Sequence, residues 1–145
     1  MKILLINHYA GSPEHGMESN LSNQNHETGE WAEKHGYFDI AVSRYYYALF
    51  QKSLYILQKN PSYKKPGGAY NSHNKVIEDL YRETHSQLKD EEITWLSQFP
   101  NLKTYRTNAD YENKMLSKND FNLGFKYGYN RIAGLLDRIV GGKAQ

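Results

Sequence analysis

The sequence predicts an all-α fold, an up-and-down bundle of four or five helices. Three observations predict it. Apolar residues recur at helical spacing through successive segments between Ser19 and Val140. Turn-forming residues separate those segments at Gly36, in "PSYKKPGGAY" and at Pro100. The length, 145 residues, suits one domain around one core. Residues 19–140 are therefore assigned to the bundle, and 141–145, "GGKAQ", to a frayed tail.

Residues 1–18, "MKILLINHYAGSPEHGME", read differently. "KILLIN" is a compact apolar run and "YAGSPEHG" carries turn residues, so this piece reads as strand then loop. It is expected to be an extension or leader outside the bundle. It resembles the opening strand and first loop of GT-B-type glycosyltransferases. No second strand follows to build a parallel sheet, so no such activity is carried over.

The helices follow in order. "LSNQNHETGEWAEKHG" forms the first, ended near Gly36, with Trp31 as its anchor. Asp39 offers an N-cap for the second, which runs to Pro61. Its Val42, Tyr46, Leu49, Phe50, Ser53 and Leu57 share one side, and Arg44, Ala48, Gln51 and Tyr55 form another stripe. So wide an apolar side marks a central helix. "PSYKKPGGAY" is predicted to be a mobile basic loop. Ser72 caps the next helix, whose His73, Val76, Ile77, Leu80 and Thr84 face inward. "DEEITWLSQF" places acids in a first turn, where the helix dipole favours them. Pro100 kinks or restarts that helix. "SKND" at 117–120 signals a cap before the last helix, with Phe121, Phe125, Ile132, Leu136 and Ile139 inward. Gly124, Gly128 and Gly134 each cost roughly 1 kcal/mol against alanine there, which points to close helix approach.

Composition excludes several chemistries. With no cysteine there is no disulfide, thiolate metal site or cysteine nucleophile. The six histidines lack paired ligand spacing, so neither a metal nor a cofactor is expected. A net charge of +2 announces neither nucleic acid nor anionic lipid, so any basic patch must be local. No segment is apolar enough for a membrane span, and a cytoplasmic location is expected. Thirteen tyrosines supply rings that pack while keeping a hydroxyl near water or ligand.

Three stretches carry a wider resemblance. "FDIAVSRYYYALFQKSLYIL", "YNSHNKVIEDL" and "YRTNADYENKMLSKNDFNLGFKYGYNRIAGLL" resemble, in order, the motifs of the HEPN superfamily. The likeness spans about Glu30 to Val140, in the branch paired with minimal nucleotidyltransferases. It implies a helical bundle that dimerises, set in toxin–antitoxin or defence systems, with RNA or nucleotide as ligand. Many members cut RNA without metal, through an arginine, four to six intervening residues and then a histidine. Here Arg106 matches the arginine, but Tyr111, Glu112 and Asn113 stand where the histidine is expected, with Asp110 just before them.

Metal-free cleavage needs a base for the 2′-hydroxyl, a cation for the phosphate and an acid for the leaving oxygen. Arg106 suits the cation role, because its planar fork matches phosphate oxygens. Asn108 and Asp110 would shape the site, and Tyr111 would orient phosphate or accept a nucleotide placed by the partner. Arg44, Tyr47 and His73 are candidates to join from other helices. The plainer reading is a helical ion pair between Arg106 and Asp110, contributing about 0.3–0.5 kcal/mol. Two alternatives stay open: a metal-independent ribonuclease with a non-histidine site, and a non-catalytic dimerisation or adaptor module.

Overall fold

The computed structural model describes residues 14–67, 72–111 and 116–142, with side chains from Glu18 onward. The fold is an all-α helical bundle. The apolar run "KILLIN" and the tail residues 143–145 lie outside the described residues.

Helices α1 (Glu14–Lys34) and α2 (Phe38–Leu57) form an antiparallel pair. The turn between them follows from Gly36, which takes φ +76°. Its N–H donates to the Glu33 carbonyl at 3.1 Å, and the Tyr37 N–H donates to Ala32 at 2.8 Å. This is the Schellman arrangement, which glycine favours because it has no Cβ to clash. Helix α1 begins at Glu14, earlier than the apolar spacing predicts, and at 21 residues it matches the 20 of α2. The extra turn is held from the side: Glu18 is buried, and Ser22 Oγ donates to the Ala48 carbonyl at 2.7 Å.

Trp31 is not the anchor of α1. It is 41 % exposed and stacks on His35 at 4.4 Å. The inward face of α1 is instead small and polar, with Ser22, Asn25, Thr28 and Ala32 buried. Large side chains are excluded because Tyr45 fills that space: a Cβ on Gly29 would come within 2.7 Å of the Tyr45 ring.

Helix α2 is central, packing on α1 and also on α3 (Ser72–Thr84), α5 (Phe99–Tyr111) and α7 (Tyr127–Val140). Every residue of its predicted apolar side is buried. Asp39 is not its N-cap: Tyr37 takes that position without a side-chain hydrogen bond, and Asp39 lies in the first turn. There its charge still suits the helix dipole.

The loop after α2 is tied down rather than loose at Tyr63, whose hydroxyl donates to Asp79 at 3.0 Å. Asp79 also receives Lys75 at 3.0 Å and Arg82 at 2.9 Å. Burial raises its carboxyl pKa, but these three donors outweigh burial and hold it below the usual range. A short 3₁₀ turn at His85–Gln87 leads to α4 (Asp90–Leu96), and α5 restarts at Phe99 beside Pro100. Glu92 fastens α4 to α7 through Arg138 at 2.6 Å.

The last helix starts as expected, with Ser117 Oγ accepting from the Asp120 N–H at 3.0 Å. A single turn, α6 (Lys118–Asp120), continues into a π-helical segment at Phe121–Lys126 and then α7. Phe121, Phe125 and Tyr129 form a column, successive rings 6.0 Å apart, and all three face Tyr45.

The glycines in this helix differ in purpose. A Cβ on Gly124 would overlap the Tyr105 hydroxyl and lie 2.6 Å from Tyr105 Cζ. A Cβ on Gly134 would meet nothing within 4 Å. Gly124→Ala is therefore expected to destabilise the fold by about 1–3 kcal/mol through overpacking. Gly134→Ala is expected to stabilise it by up to about 1 kcal/mol. Urea unfolding of both variants checks the contrast; equal effects would contradict the packing described.

Candidate anion-binding site

The site is built on Tyr46, whose fully buried ring lies where α2, α3 and α5 meet. Above it sits Arg106 of α5, with Cζ 5.3 Å from the Tyr46 ring centroid and 5.4 Å from that of Tyr47. The two rings are edge to face at 5.6 Å. Consecutive residues on a helix point about 100° apart, yet both rings come within 5.4 Å of the same guanidinium. Arg106 Nη1 donates to Asp110 Oδ2 at 3.2 Å. The Arg106 side chain is only 12 % exposed, so this is not an open surface pair. Its Nε is buried without a hydrogen-bond partner. A buried donor on a charged group usually has an acceptor, because leaving it unsatisfied costs about 1–3 kcal/mol or more.

His73 of α3 closes the next side. Its ring stacks on Phe50 at 4.0 Å, and its Nδ1 is 3.0 Å from the Tyr46 hydroxyl. Burial first, then the charges of Arg106, Lys103 and Lys65, push the imidazole down to about 4. His73 is therefore neutral at pH 7. Burial likewise raises the Tyr46 phenol well above its ordinary value, so it stays protonated. If Tyr46 donates to Nδ1, the ring proton sits on Nε2 and makes it a donor. In the other tautomer Nε2 is a base.

Arg44 approaches from the α1 side. Its Cζ is 5.9 Å from the Tyr47 centroid, and Nη1 donates to Asn25 Oδ1 at 3.3 Å. Asn25 in turn donates to Gln51 at 2.7 Å. Arg44 thus orders the α1–α2 pair while standing beside the ring that Arg106 covers.

The structure brings Tyr47, His73 and Arg106 together around Tyr46, with Asp110 paired to Arg106 and Arg44 beside Tyr47. It separates two expected site residues from them. Asn108 is exposed on the other side of α5, where it lines a cleft facing the last helix. Two residues along a helix is a rotation of about 200°, so Asn108 cannot share the Arg106 face. Tyr111 is 78 % exposed at the end of α5. Three contributors were missed. Tyr46 reads from spacing as pure core, although the ring that fills the core carries the hydroxyl that holds His73. Lys103 lies one turn before Arg106 on the same stripe, which spacing alone would have revealed. Lys65 comes from the basic loop, and no local pattern links it to α3.

Among the described residues, no group of three His, Asp or Glu side chains is placed to hold a metal ion. No described helix is long and apolar enough to cross a membrane. Comparisons with protein-family models, curated proteins and solved structures found no match.

The depressed His73 pKa ties stability to pH. Unfolded, the ring titrates near 6.5; folded, near 4. Between these values the unfolded chain binds more protons, so stability falls as pH is lowered from 6.5 towards 4. After screening of a partly exposed ring, the His73 contribution is about 1–2 kcal/mol. His73→Gln is expected to flatten that part of the profile in urea melts at pH 4.5 to 7. An unchanged slope would place the ring in solvent instead.

Proposed function

We propose that this chain is a HEPN-like domain of a toxin–antitoxin or defence system, which binds the phosphate of RNA or a nucleotide at Arg106. The observation that carries the reading is the guanidinium itself. It rests against two tyrosine rings with an unsatisfied buried Nε, and its charge, with those of Lys103 and Lys65, bears on the neighbouring neutral His73. The charges of Arg106, Lys103 and Lys65 all bear on His73, and this local excess of cations favours an anion. Tyr47, the partly exposed ring of the pair, also suits stacking by a base of a single strand. The resemblance of the three sequence stretches supplies the family, the expected homodimer and the minimal nucleotidyltransferase partner.

Tyr111 fits the partner side of this reading, because its exposed hydroxyl is open to a second protein. In such a transfer the phenolic oxygen attacks the α-phosphorus of a nucleoside triphosphate. Pyrophosphate leaves, and the phenol proton passes to a base of the partner. Mass spectrometry after co-expression with a neighbouring nucleotidyltransferase is expected to show a nucleotide on Tyr111 and none in Tyr111→Phe. An unmodified Tyr111 beside an active partner counts against it.

One observation favours a second reading, metal-free RNA cleavage. His73 Nδ1 is 3.0 Å from the Tyr46 hydroxyl and Arg106 lies over that ring, so a histidine from α3 is near the arginine of α5. Single-stranded RNA is the test for both readings. Binding is expected to weaken at least tenfold in Arg106→Gln, with circular dichroism confirming the fold. Cleavage that persists in EDTA and is lost in both Arg106→Gln and His73→Gln would establish the second reading. RNA affinity equal in wild type and Arg106→Gln would sink the first.

A further inference from the structure

A second site lies on the other side of α5. Helices α4 and α5 form one wall of an open cleft, and the helix running from Asp120 to Arg131 forms the other. Its volume is about 800 Å³. Asn101, Thr104, Tyr105 and Asn108 line the α5 wall at i, i+3, i+4 and i+7, which is one helix face. The cleft shares no lining residue with the Arg106 cluster, and nothing in the proposed function uses it.

Its two ends carry opposite charge. At one end Arg131 is braced between aromatic rings, with Cζ 5.0 Å from the Trp95 centroid and 4.2 Å from that of Tyr127. It donates a hydrogen bond to the Tyr127 hydroxyl. Among the described residues Arg131 has no carboxylate partner, unlike Arg82, Arg106 and Arg138. At the other end stand Asp39 and Asp120. The residues next to them in sequence, Phe38 and Phe121, pack with ring centroids 5.0 Å apart. Asp120 and Arg131 are eleven positions apart on one continuous helix, a separation on the order of 16 Å. The floor between them is apolar, from Leu102 and Gly128. A Cβ at Gly128 would make only ordinary contact with Leu102, at 3.6 Å, so there is room over this floor.

We propose that this cleft binds a nucleoside phosphate, with the phosphate on Arg131 and the base directed towards the Asp39–Asp120 end. The ligand class follows from charge order and chemistry. A guanidinium fixed by stacking loses little freedom on binding and pairs with phosphate oxygens through its fork. Exposed Asn101 and Asn108 offer both donors and acceptors, which suit ribose hydroxyls and base edges. Carboxylates accept only, so the acidic end selects bases that present N–H groups, guanine above all and thymine-like edges least. The apolar floor takes the flat face of the base. A purely anionic chain such as a long RNA would meet Asp39 and Asp120 unfavourably, so a mononucleotide fits better.

Tryptophan fluorescence reads the site directly, because Trp95 lies against Arg131. In full-length Trp31→Phe, Trp95 is the sole tryptophan. Titration with GMP, AMP, UMP and inorganic phosphate is expected to change its emission, with GMP tightest and phosphate weakest. Arg131→Gln in the same background is expected to lose at least tenfold in GMP affinity by calorimetry. In that background Arg106→Gln is expected to leave the Trp95 emission change with GMP in place, whatever nucleotide the Arg106 site itself takes, because Trp95 reports only the Arg131 end. Asp120→Asn is a milder second variant, expected to reduce the preference of GMP over UMP. No heat and no fluorescence change with any nucleotide at millimolar concentration would overturn the proposal. So would GMP binding that survives Arg131→Gln but is lost in Arg106→Gln. Arg131-dependent binding of an RNA oligonucleotide without any mononucleotide binding would also overturn it, in favour of a strand groove.

Discussion

The packing of Tyr46 is the contact on which the rest of the molecule depends. Its ring is buried by three helices at once, edge-on to Phe99 at 6.0 Å and near-parallel to His73 at 5.8 Å. It also carries Arg106 on its face. Without a flat, electron-rich surface there, a guanidinium so little exposed would have one carboxylate and no other compensation for its lost water. Cation–π attraction of a desolvated arginine is worth on the order of 1–2 kcal/mol per ring. That is enough to hold the charge inside the bundle edge. The same ring fixes His73, so core packing and site geometry are one arrangement rather than two.

A second polar cluster braces the opposite side of α2. Lys126 Nζ lies 2.6 Å from Glu33 Oε1, and the Tyr45 hydroxyl donates to the same oxygen at 2.8 Å. Burial alone would raise the Glu33 pKa, but these two donors more than offset it and leave the carboxyl below its usual range. His26 Nδ1 meets the Tyr129 hydroxyl at 2.7 Å a turn further along. The consecutive residues Tyr45 and Tyr46 thus serve different partners, one joining α2 to α1 and the last helix, the other to α3 and α5. Neither hydroxyl is left unsatisfied in the core.

Much of the fold was legible because period is a strong signal. The apolar side of α2 and that of α3 read directly from spacing, with His73 the partly exposed member. The cap at Ser117 and the restart at Pro100 also followed from residue chemistry. Trp31 misled because size was taken for burial, whereas the α1 interface needed small residues to admit Tyr45. Asp39 misled because a good capping residue need not occupy the cap. Of the site, Arg106 and Asp110 were visible as an i, i+4 pair, and Arg44, Tyr47 and His73 came through the family resemblance. The role of Tyr46 and Lys65 was not visible, since it depends on which faces of three helices meet. The cleft at Arg131 was illegible for the same reason: its charged ends come from residues distant in sequence.

The π-helical segment has a meaning for the aromatic column. Phe121, Phe125 and Tyr129 repeat every four residues, whereas an α-helix turns every 3.6. Eight residues of regular α-helix would carry the third ring about 80° away from the first. The i→i+5 segment holds more residues per turn and cancels that drift. It acts as a phase correction, like a leap day in a calendar, letting a four-residue repeat keep step with a straight partner. Beyond Lys126 the correction is spent, and the inward residues Tyr129, Ile132 and Leu136 return to the ordinary three-and-four rhythm.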